Sequence, residues 1–433
     1  MNGIFFGIVL IAFLVAGWRE IHWRPPSADA VSPMQALANG MVETAGSSVT
    51  LAIGLVGVMA LFLGLMKVAE EGGMLTIIAK TIRPLMVRLF PEVPPDHPAM
   101  GAMILNMSAN ALGLGNAATP FGIRAMQELD KLNPSKGTAT NSMALFLAIN
   151  TSSVTLLPTG VIALRAAAGS SDPAGILPTT LFATVCSTTV AIVMCLILRR
   201  FWQTAEEATP NEERVQISGE CHKNDLPDAA DDAYPTWISV SVFVVIAALV
   251  PLTIAYGATI SAWIIPGLMV ALLGFGVARK VRVYEAFVEG AKDGFQVAIR
   301  IIPYLVAILV AVGMFRSSGA LEAMISIIGP FTTLFGMPPE ALPMALLRPL
   351  SGSGAYGVLA SIIQDPSIGP DSYAGYLVST LQGSTETTFY VLAVYFGAVQ
   401  IRRIRFALVA ALSADFAGIA AAVVICSILY GAL

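Results

Sequence analysis

Charge is scarce in this 433-residue chain: Asp, Glu, Lys and Arg make up 12% of it, while 56% is hydrophobic. Soluble domains carry roughly 25% charged residues, and the mean hydropathy here is +0.76. An ordinary soluble domain is excluded, and an all-α polytopic membrane protein is expected. Histidine is almost absent. His22, His97 and His222 all fall outside the clear apolar runs, so no His–carboxylate cluster for hydrolysis is visible and no enzyme is expected. The four cysteines (Cys186, Cys195, Cys221, Cys426) form no CxxC pair. Three lie in apolar runs as small packing residues. Cys221 and His222 are adjacent, and two such ligands are too few for a metal site. No cofactor and no metal is therefore expected. Basic patches suited to nucleic acid are also missing. The stretch from Phe201 to Pro235 holds nine acids against Arg214 and Lys223, so it is net −7 and the remainder is +3, against −4 overall. It reads as an acidic cytoplasmic linker, 201–235, between halves 1–200 and 236–433.

What is present is a series of apolar runs, some broken by polar, glycine-rich chain. Clear spans are expected at Ile4–Trp18, Val49–Met66, Met143–Leu164, Ile176–Leu198, Trp237–Ile254, Ile260–Val277, Ile301–Phe315, Tyr373–Tyr395 and Phe406–Leu429. A span needs about 20 apolar residues, fewer where the flanks snorkel. The first run has the length of a signal-peptide core, but no Lys or Arg precedes it and no small-residue cleavage site follows, so it reads as an uncleaved helix. Met74–Leu89 and Leu321–Leu334 read as interfacial amphipathic helices. His97–Leu112 and Leu342–Leu350 are too short to cross, and each is followed by a glycine-rich turn and another short helix. They read as re-entrant hairpins. Arg165 ends a span and reads as a snorkelling residue.

The two halves repeat these pieces in one order, from Gly64-Leu65-Met66 and Gly313-Met314-Phe315 onward. Ile149 to Ser153 sits opposite Leu381 to Thr385. Three basic clusters mark cytoplasmic ends: Arg199-Arg200, Arg279-Lys280-Arg282 and Arg402-Arg403-Arg405. Counting spans outward from them points corresponding helices in opposite directions, as in an inverted repeat. Residues 67–140 carry seven basic side chains, whereas 316–370 carry only Arg316 and Arg348. That bias fits a first hairpin opening from the cytoplasm and a second from outside. The scheme leaves Arg19 and Arg24 on the outer side.

Four polar segments interrupt the apolar runs: NMSANALGLGNAATP (Asn106 to Pro120), NTSSVT (Asn150 to Thr155), RPLSGSGAYG (Arg348 to Gly357) and QGSTETT (Gln382 to Thr388). Irregular backbone at membrane depth persists only where it lines a cavity or is buried in protein. Matched breaks in two halves point to a transporter's binding site.

Asn106 to Met126 closely resembles the spore maturation protein A signature, and Gly383 to Gly397 resembles that of spore maturation protein B. The two look fused, and both halves resemble the nucleoside-recognition Gate domain. That domain also occurs in ferrous-iron transporter B and is similar to part of the concentrative nucleoside transporters. The resemblance implies a transporter family without naming a substrate, and by analogy a homo-oligomer. The nucleotide-binding loop of the ferrous-iron transporter is absent.

Glu386 is the sharpest single candidate, an acid in a broken span flanked by Ser384, Thr385, Thr387 and Thr388. Such a group costs about 2.5–3.5 kcal/mol on insertion scales, which favours a functional role. It suits cation binding, a coupling proton, or a hydrogen bond to substrate; pairing with Arg348 is the structural alternative. Asp415 in the last span is a second ion or proton candidate; pairing with a neighbouring helix is the structural alternative. Substrate contacts are expected from Asn106, Ser108, Asn110, Asn116 and Thr119, and from Asn150, Thr151, Ser152 and Ser153. In the second half they are expected from Ser351, Ser353 and Tyr356, and from Gln382, Ser384, Thr385, Glu386 and Thr387. Small residues here, Gly113, Gly115, Gly352 and Gly354 among them, also serve tight packing. The expected function is secondary transport of a small polar solute, nucleoside-like or an anionic metabolite, by alternating access, with Na+ or H+ as possible coupling ions. A channel or lipid flippase, or a non-transporting assembly protein, would use the same sequence features. Lipids are the expected surroundings, in the bacterial inner membrane.

Overall fold

The computed structural model describes residues 2–25, 30–113, 115–202 and 265–431, with 235, 237, 241 and 263 as isolated positions. The expected linker beyond residue 202, the span Trp237–Ile254 and the Cys221-His222 pair lie outside the described residues, or nearly so. Among the described residues the protein is all helical: α1 (Asn2–Ile21), α2 (Pro33–Glu71), α3 (Met74–Leu89), α4 (Pro98–Ala111), α5 (Gly115–Lys131), α6 (Asn141–Thr151), α7 (Thr159–Ala167), α8 (Ile176–Leu198) and α9 (Ile265–Ala278). The second half continues with α10 (Val283–Ser317), α11 (Ala320–Thr333), α12 (Leu342–Leu347), α13 (Gly352–Ile363), α14 (Tyr373–Ser384), α15 (Thr388–Ala398) and α16 (Ala407–Tyr430). α8 and α16 are long and apolar enough to cross a membrane.

Local chemistry sets the boundaries. Ser32, Thr140, Ser351 and Ser372 each accept a backbone N–H in the first turn of the helix that follows, the usual N-cap arrangement. His97 caps α4 by accepting from Ala99 N at 3.2 Å. Burial and nearby Lys131 hold its imidazole below the ordinary value against the pull of Glu128, which keeps the capping nitrogen an acceptor. Gly73 and Gly319, at φ 82° and 83°, turn the chain from α2 into α3 and from α10 into α11. Only glycine adopts that conformation without strain.

The runs expected as Met143–Leu164 and Tyr373–Tyr395 are each two helices. The first breaks between Thr151 and Thr159, the second between Ser384 and Thr388. α2 and α10 are much longer than their apolar windows, at 39 and 35 residues. They lie side by side and antiparallel along a seam of small residues. A Cβ added to Gly40 would stand 2.4 Å from Ser317, one on Gly313 2.5 Å from Thr44, and one on Gly290 2.5 Å from Lys67. The polar ends Glu43-Thr44 and Glu285 to Asp293 stay helical because glycines let the partner helix approach closely, against the Ser317 and Thr44 side chains at one end and the Leu63 and Met59 carbonyls at the other, whatever their hydropathy.

The buried apolar side chains form two principal cores. One joins α7, α12, α13 and α14 with parts of α8, α10 and α16. The other joins α3, α4, α5, α6 and α15 with the remaining parts of α8 and α16. Each broken helix therefore gives one piece to each core. The basic clusters around Arg199 and Arg405 meet. Arg402 and Arg403 N–H groups donate to Gly137 O at 2.9 and 3.0 Å, Arg405 donates to Trp202 O, and Arg279 Nε donates to Gly72 O at 3.0 Å. Arg19 lies at the other end of α10, donating to Ser318 O at 2.8 Å.

Candidate functional site

The two breaks meet. Glu386 N donates to Thr151 O at 2.8 Å, joining the loose end of α14 to the last turn of α6. Each break is also tied to the helical pair of its own half. Leu156 N donates to Ala111 O at 3.0 Å, and Phe389 N donates to Pro349 O at 3.2 Å. Gly113, at φ 75°, lies where a Cβ would be 2.3 Å from Leu157 O, so a glycine is needed for both its conformation and its closeness. A Cβ added to Gly352 would stand 2.8 Å from Thr387 Oγ1.

Arg348 organises the second break. It is 4% exposed. Its Nε donates to Gln382 O at 3.0 Å, one terminal nitrogen donates to Thr387 Oγ1 at 3.1 Å, and the other donates to Thr385 O. The carbonyls are the unsatisfied C-terminal groups of α14, so the guanidinium acts as a side-chain cap at the negative end of a half-helix. Glu386 Oε2 stands 3.7 Å from the same group, an ion-pair distance too long for a hydrogen bond. Glu386 is itself half exposed, while its neighbours Ser384, Thr385, Thr387 and Thr388 are buried. The acid expected inside the hydrocarbon is therefore open and partly neutralised.

At the first break the amides form one network. Asn110 Nδ2 donates to Asn150 Oδ1 at 3.0 Å, and Asn150 Nδ2 donates back to Phe146 O at 2.9 Å. Asn106 Nδ2 donates to Ala118 O at 2.8 Å and to the Tyr395 hydroxyl at 3.2 Å. Tyr395 in turn donates to Asn150 Oδ1 at 3.4 Å and stacks on Phe146. Tyr395 was not among the expected residues; it looks like the end of an apolar run. A signal exists in Gly122, whose missing Cβ would stand 2.1 Å from the Tyr395 hydroxyl. Asn106 Oδ1 and Gln382 Oε1 are buried with no hydrogen-bond partner.

Several hydroxyls in the expected set are turned to local duty. Ser108, Thr151, Ser152 and Ser384 donate to carbonyls three or four residues back, and Ser351 caps α13 by accepting from Gly354 N at 3.0 Å. Ser153 is buried and Ser353 is exposed. Thr119 has a partner. Tyr356 lies against Gly160, whose added Cβ would be 2.6 Å from its hydroxyl. The side chain of Asn116 lies outside the described residues. Asp415 is buried on α16 and accepts from Thr388 Oγ1 at 2.6 Å.

Arg165 does not snorkel. It is fully buried and ties α7 to the loop before α14. It donates to Pro370 O at 2.6 Å, Ser379 Oγ at 3.3 Å, Ser170 Oγ at 3.1 Å, Asp172 O at 3.1 Å and Asp371 Oδ1 at 3.0 Å. Its guanidinium lies 4.2 Å over the Tyr376 ring, a cation–π arrangement. Burial alone would raise the Asp371 carboxyl. Donors from Ser170 and Ser171, with the Arg165 charge, outweigh it and hold the group below its ordinary value. This cluster fastens the first half to the second, at the end opposite the basic clusters.

The chain is 47% identical over 167 residues to spore maturation protein B of Bacillus subtilis, covering 39% of this chain and 93% of that protein. It is 45% identical over 161 residues to spore maturation protein A of the same organism, covering 37% of this chain and 82% of that protein. Inner membrane protein YjiG of Escherichia coli K12 is 33% identical over 81 residues, 18% of this chain and 53% of that one. A solved structure of CNTnw in an outward-facing state aligns over 100% of both chains, at 11% identity and a TM-score of 0.46. The apolar helices and the match to an inner membrane protein make the chain a membrane protein. The model described as nucleoside recognition, Gate, matches residues 52–168 and 298–402, and the chain belongs to that Gate family.

Proposed function

We propose that the protein is a secondary transporter of a small polar solute, nucleoside-like or an anionic metabolite, working by alternating access and coupled to Na+ or H+. The observation that carries this reading is the meeting of two broken helices, where Glu386 N donates to Thr151 O beside a buried arginine. Half-helix ends with unsatisfied backbone beside a charged pair recognise polar solutes and ions in transporters. Arg348 suits an anionic or heterocyclic acceptor, Glu386 a hydroxyl or amine, and the Asn106–Asn110–Asn150 network a further polar edge. The antiparallel α2–α10 seam supports an inverted repeat. Gly40 meets Ser317 as Gly290 meets Lys67, a pairing that maps onto itself when the halves are exchanged. In this reading α4–α5 and α12–α13 are re-entrant hairpins, the ends near Trp202 and Arg405 are cytoplasmic, and the acidic linker lies on that side. The protein is not an enzyme, resides in the bacterial inner membrane and works as a homo-oligomer.

A second reading is favoured by the exposure of Glu386: a channel or flippase with its polar site open to lipid. A non-transporting assembly role is the third, and the spore maturation relatives leave it open. The deciding test is thermal unfolding of the purified protein with nucleosides, nucleobases, dicarboxylates and amino acids, repeated on Glu386→Gln. Transport predicts that one compound class stabilises the wild type and that the variant binds it about tenfold more weakly, or about 1.4 kcal/mol. No stabilisation by any compound would sink the solute reading in favour of the other two.

A further inference from the structure

We propose that Asp415 anchors a monovalent-cation site, for Na+ or a proton, where α16 passes the break between α14 and α15. The inference rests on the transport reading and deepens it, by placing the coupling ion at a carboxylate separate from the solute-facing Glu386.

Asp415 is 2% exposed. Its Oδ2 accepts from Thr388 Oγ1 at 2.6 Å, while Oδ1 is buried without a hydrogen-bond partner. One turn further along α16, Gly418 lets the break pack closely. A Cβ there would stand 2.9 Å from Thr385 Cγ2 and 3.3 Å from Ser187 Oγ. Ser187 Oγ donates to Ala414 O at 2.8 Å. Three buried hydroxyl side chains, Thr385, Thr388 and Ser187, thus flank the turn of α16 that carries Asp415.

The charge balance points to a cation. Helices α6, α8, α14 and α15 pack on α16, and none of them contains Asp, Glu, Lys or Arg. Their titratable side chains are Cys186, Cys195, Tyr373, Tyr376, Tyr390 and Tyr395, and α16 itself adds Cys426 and Tyr430. All are ordinarily neutral at physiological pH. The charges at the break are Arg348 and Glu386, which pair with each other at 3.7 Å. Arg348 is further held by Gln382 O, Thr385 O and Thr387. Asp415 has no ion pair among the described residues. The Arg348 charge reaches Asp415 across the break but is committed to these other partners, so the buried carboxylate lacks a direct counter-ion, and uptake of a cation lowers the cost of burying it. One carboxylate matches one positive charge; a divalent ion would leave a net charge buried.

The site also has a mechanical link. Thr388 opens α15, two residues after Glu386. A cation on Asp415 fixes that first turn against α16 and so fixes the ion pair beside it. Linkage then makes solute binding and cation binding favour one another.

The test is thermal unfolding of the full chain in detergent. Na+ is titrated against choline at constant ionic strength, and in a separate arm pH is varied between about 5 and 8. The proteins are wild type, Asp415→Asn, Thr388→Val and Glu386→Gln. Saturable stabilisation by Na+ identifies a sodium site; stabilisation by falling pH without a Na+ response identifies a proton site. In either case Asp415→Asn should lose the response, Thr388→Val should shift its midpoint about tenfold, and Glu386→Gln should keep it. A wild type that responds to neither, or an Asp415→Asn that responds like wild type, overturns the site. If Asp415→Asn does not fold, an unshifted midpoint in Thr388→Val overturns it. Cation stabilisation lost at Asp415 with no solute response anywhere would keep this site and sink the transport reading. Solute stabilisation lost at Glu386 with no cation response would do the reverse.

Discussion

Replacing Gly294 with alanine should destabilise the protein, while the same change at Gly57, on the facing helix, should stabilise it. At Gly294 the new methyl would stand 2.7 Å from Ala60 Cα and Met59 O and 2.8 Å from Ala60 N. All three are backbone atoms of α2, so no side chain can swing away. Comfortable carbon contacts are about 3.5–4.0 Å, so the two long helices must part by roughly 1 Å along their seam. Overpacking of this kind costs about 1–3 kcal/mol. Alanine returns about 0.5–1 kcal/mol of backbone entropy in a helix interior, leaving a net loss of up to about 2.5 kcal/mol. At Gly57 nothing lies within 4 Å of the added atom, so only the entropic gain remains. The difference between the two variants isolates the overpacking cost. Unfolding of both, measured beside wild type in one detergent, gives that difference directly. A Gly294→Ala protein as stable as Gly57→Ala would show that α2 and α10 do not touch as described.

Two further outcomes follow from the Arg165 cluster and the amide network at the first break. Asp371→Asn should lower stability at neutral pH. The folded carboxyl is held below its unfolded value, so its contribution is complete above an unfolded value of about 3.9 and is lost as pH falls through the folded one. The gap between variant and wild type should therefore be constant from neutral pH down to about 4 and close below it; a gap that closes already near pH 6 would refute the assignment. Tyr395→Phe keeps the ring on Phe146 but removes the hydroxyl between Asn106 and Asn150. Both amides retain other partners, Ala118 O and Asn110, so denaturant unfolding should show a loss of about 1 kcal/mol. No change would mean that the network carries no stability.

The ends of α3 and α8 were legible because hydropathy and periodicity change there together, and the two breaks were legible because polar glycine-rich chain cannot sit in lipid. The lengths of α2 and α10 were not. The expected windows began at Val49 and Ile301, but helices held together by close glycine contacts run on past them. Arg165 was misread for another reason. Its carboxylate partner is 206 positions away, and a span-ending arginine looks the same in sequence whether it snorkels or is buried. Glu386 and Asp415 were both visible as acids in apolar surroundings, yet the structure opens the first and encloses the second. Exposure of that kind depends on which elements cover a break, and so on long-range packing.

The division of each broken helix between two cores bears on how the chain is assembled. Cut within the acidic stretch, the first piece would carry α7 without the α12–α14 partners it packs on, and the second would carry α15 without α4, α5 and α6. Neither piece holds a finished interior. Each is the template on which the other folds, so separately made halves would be expected to mature only as an obligate pair, and joining them in one polypeptide fixes their ratio at one to one.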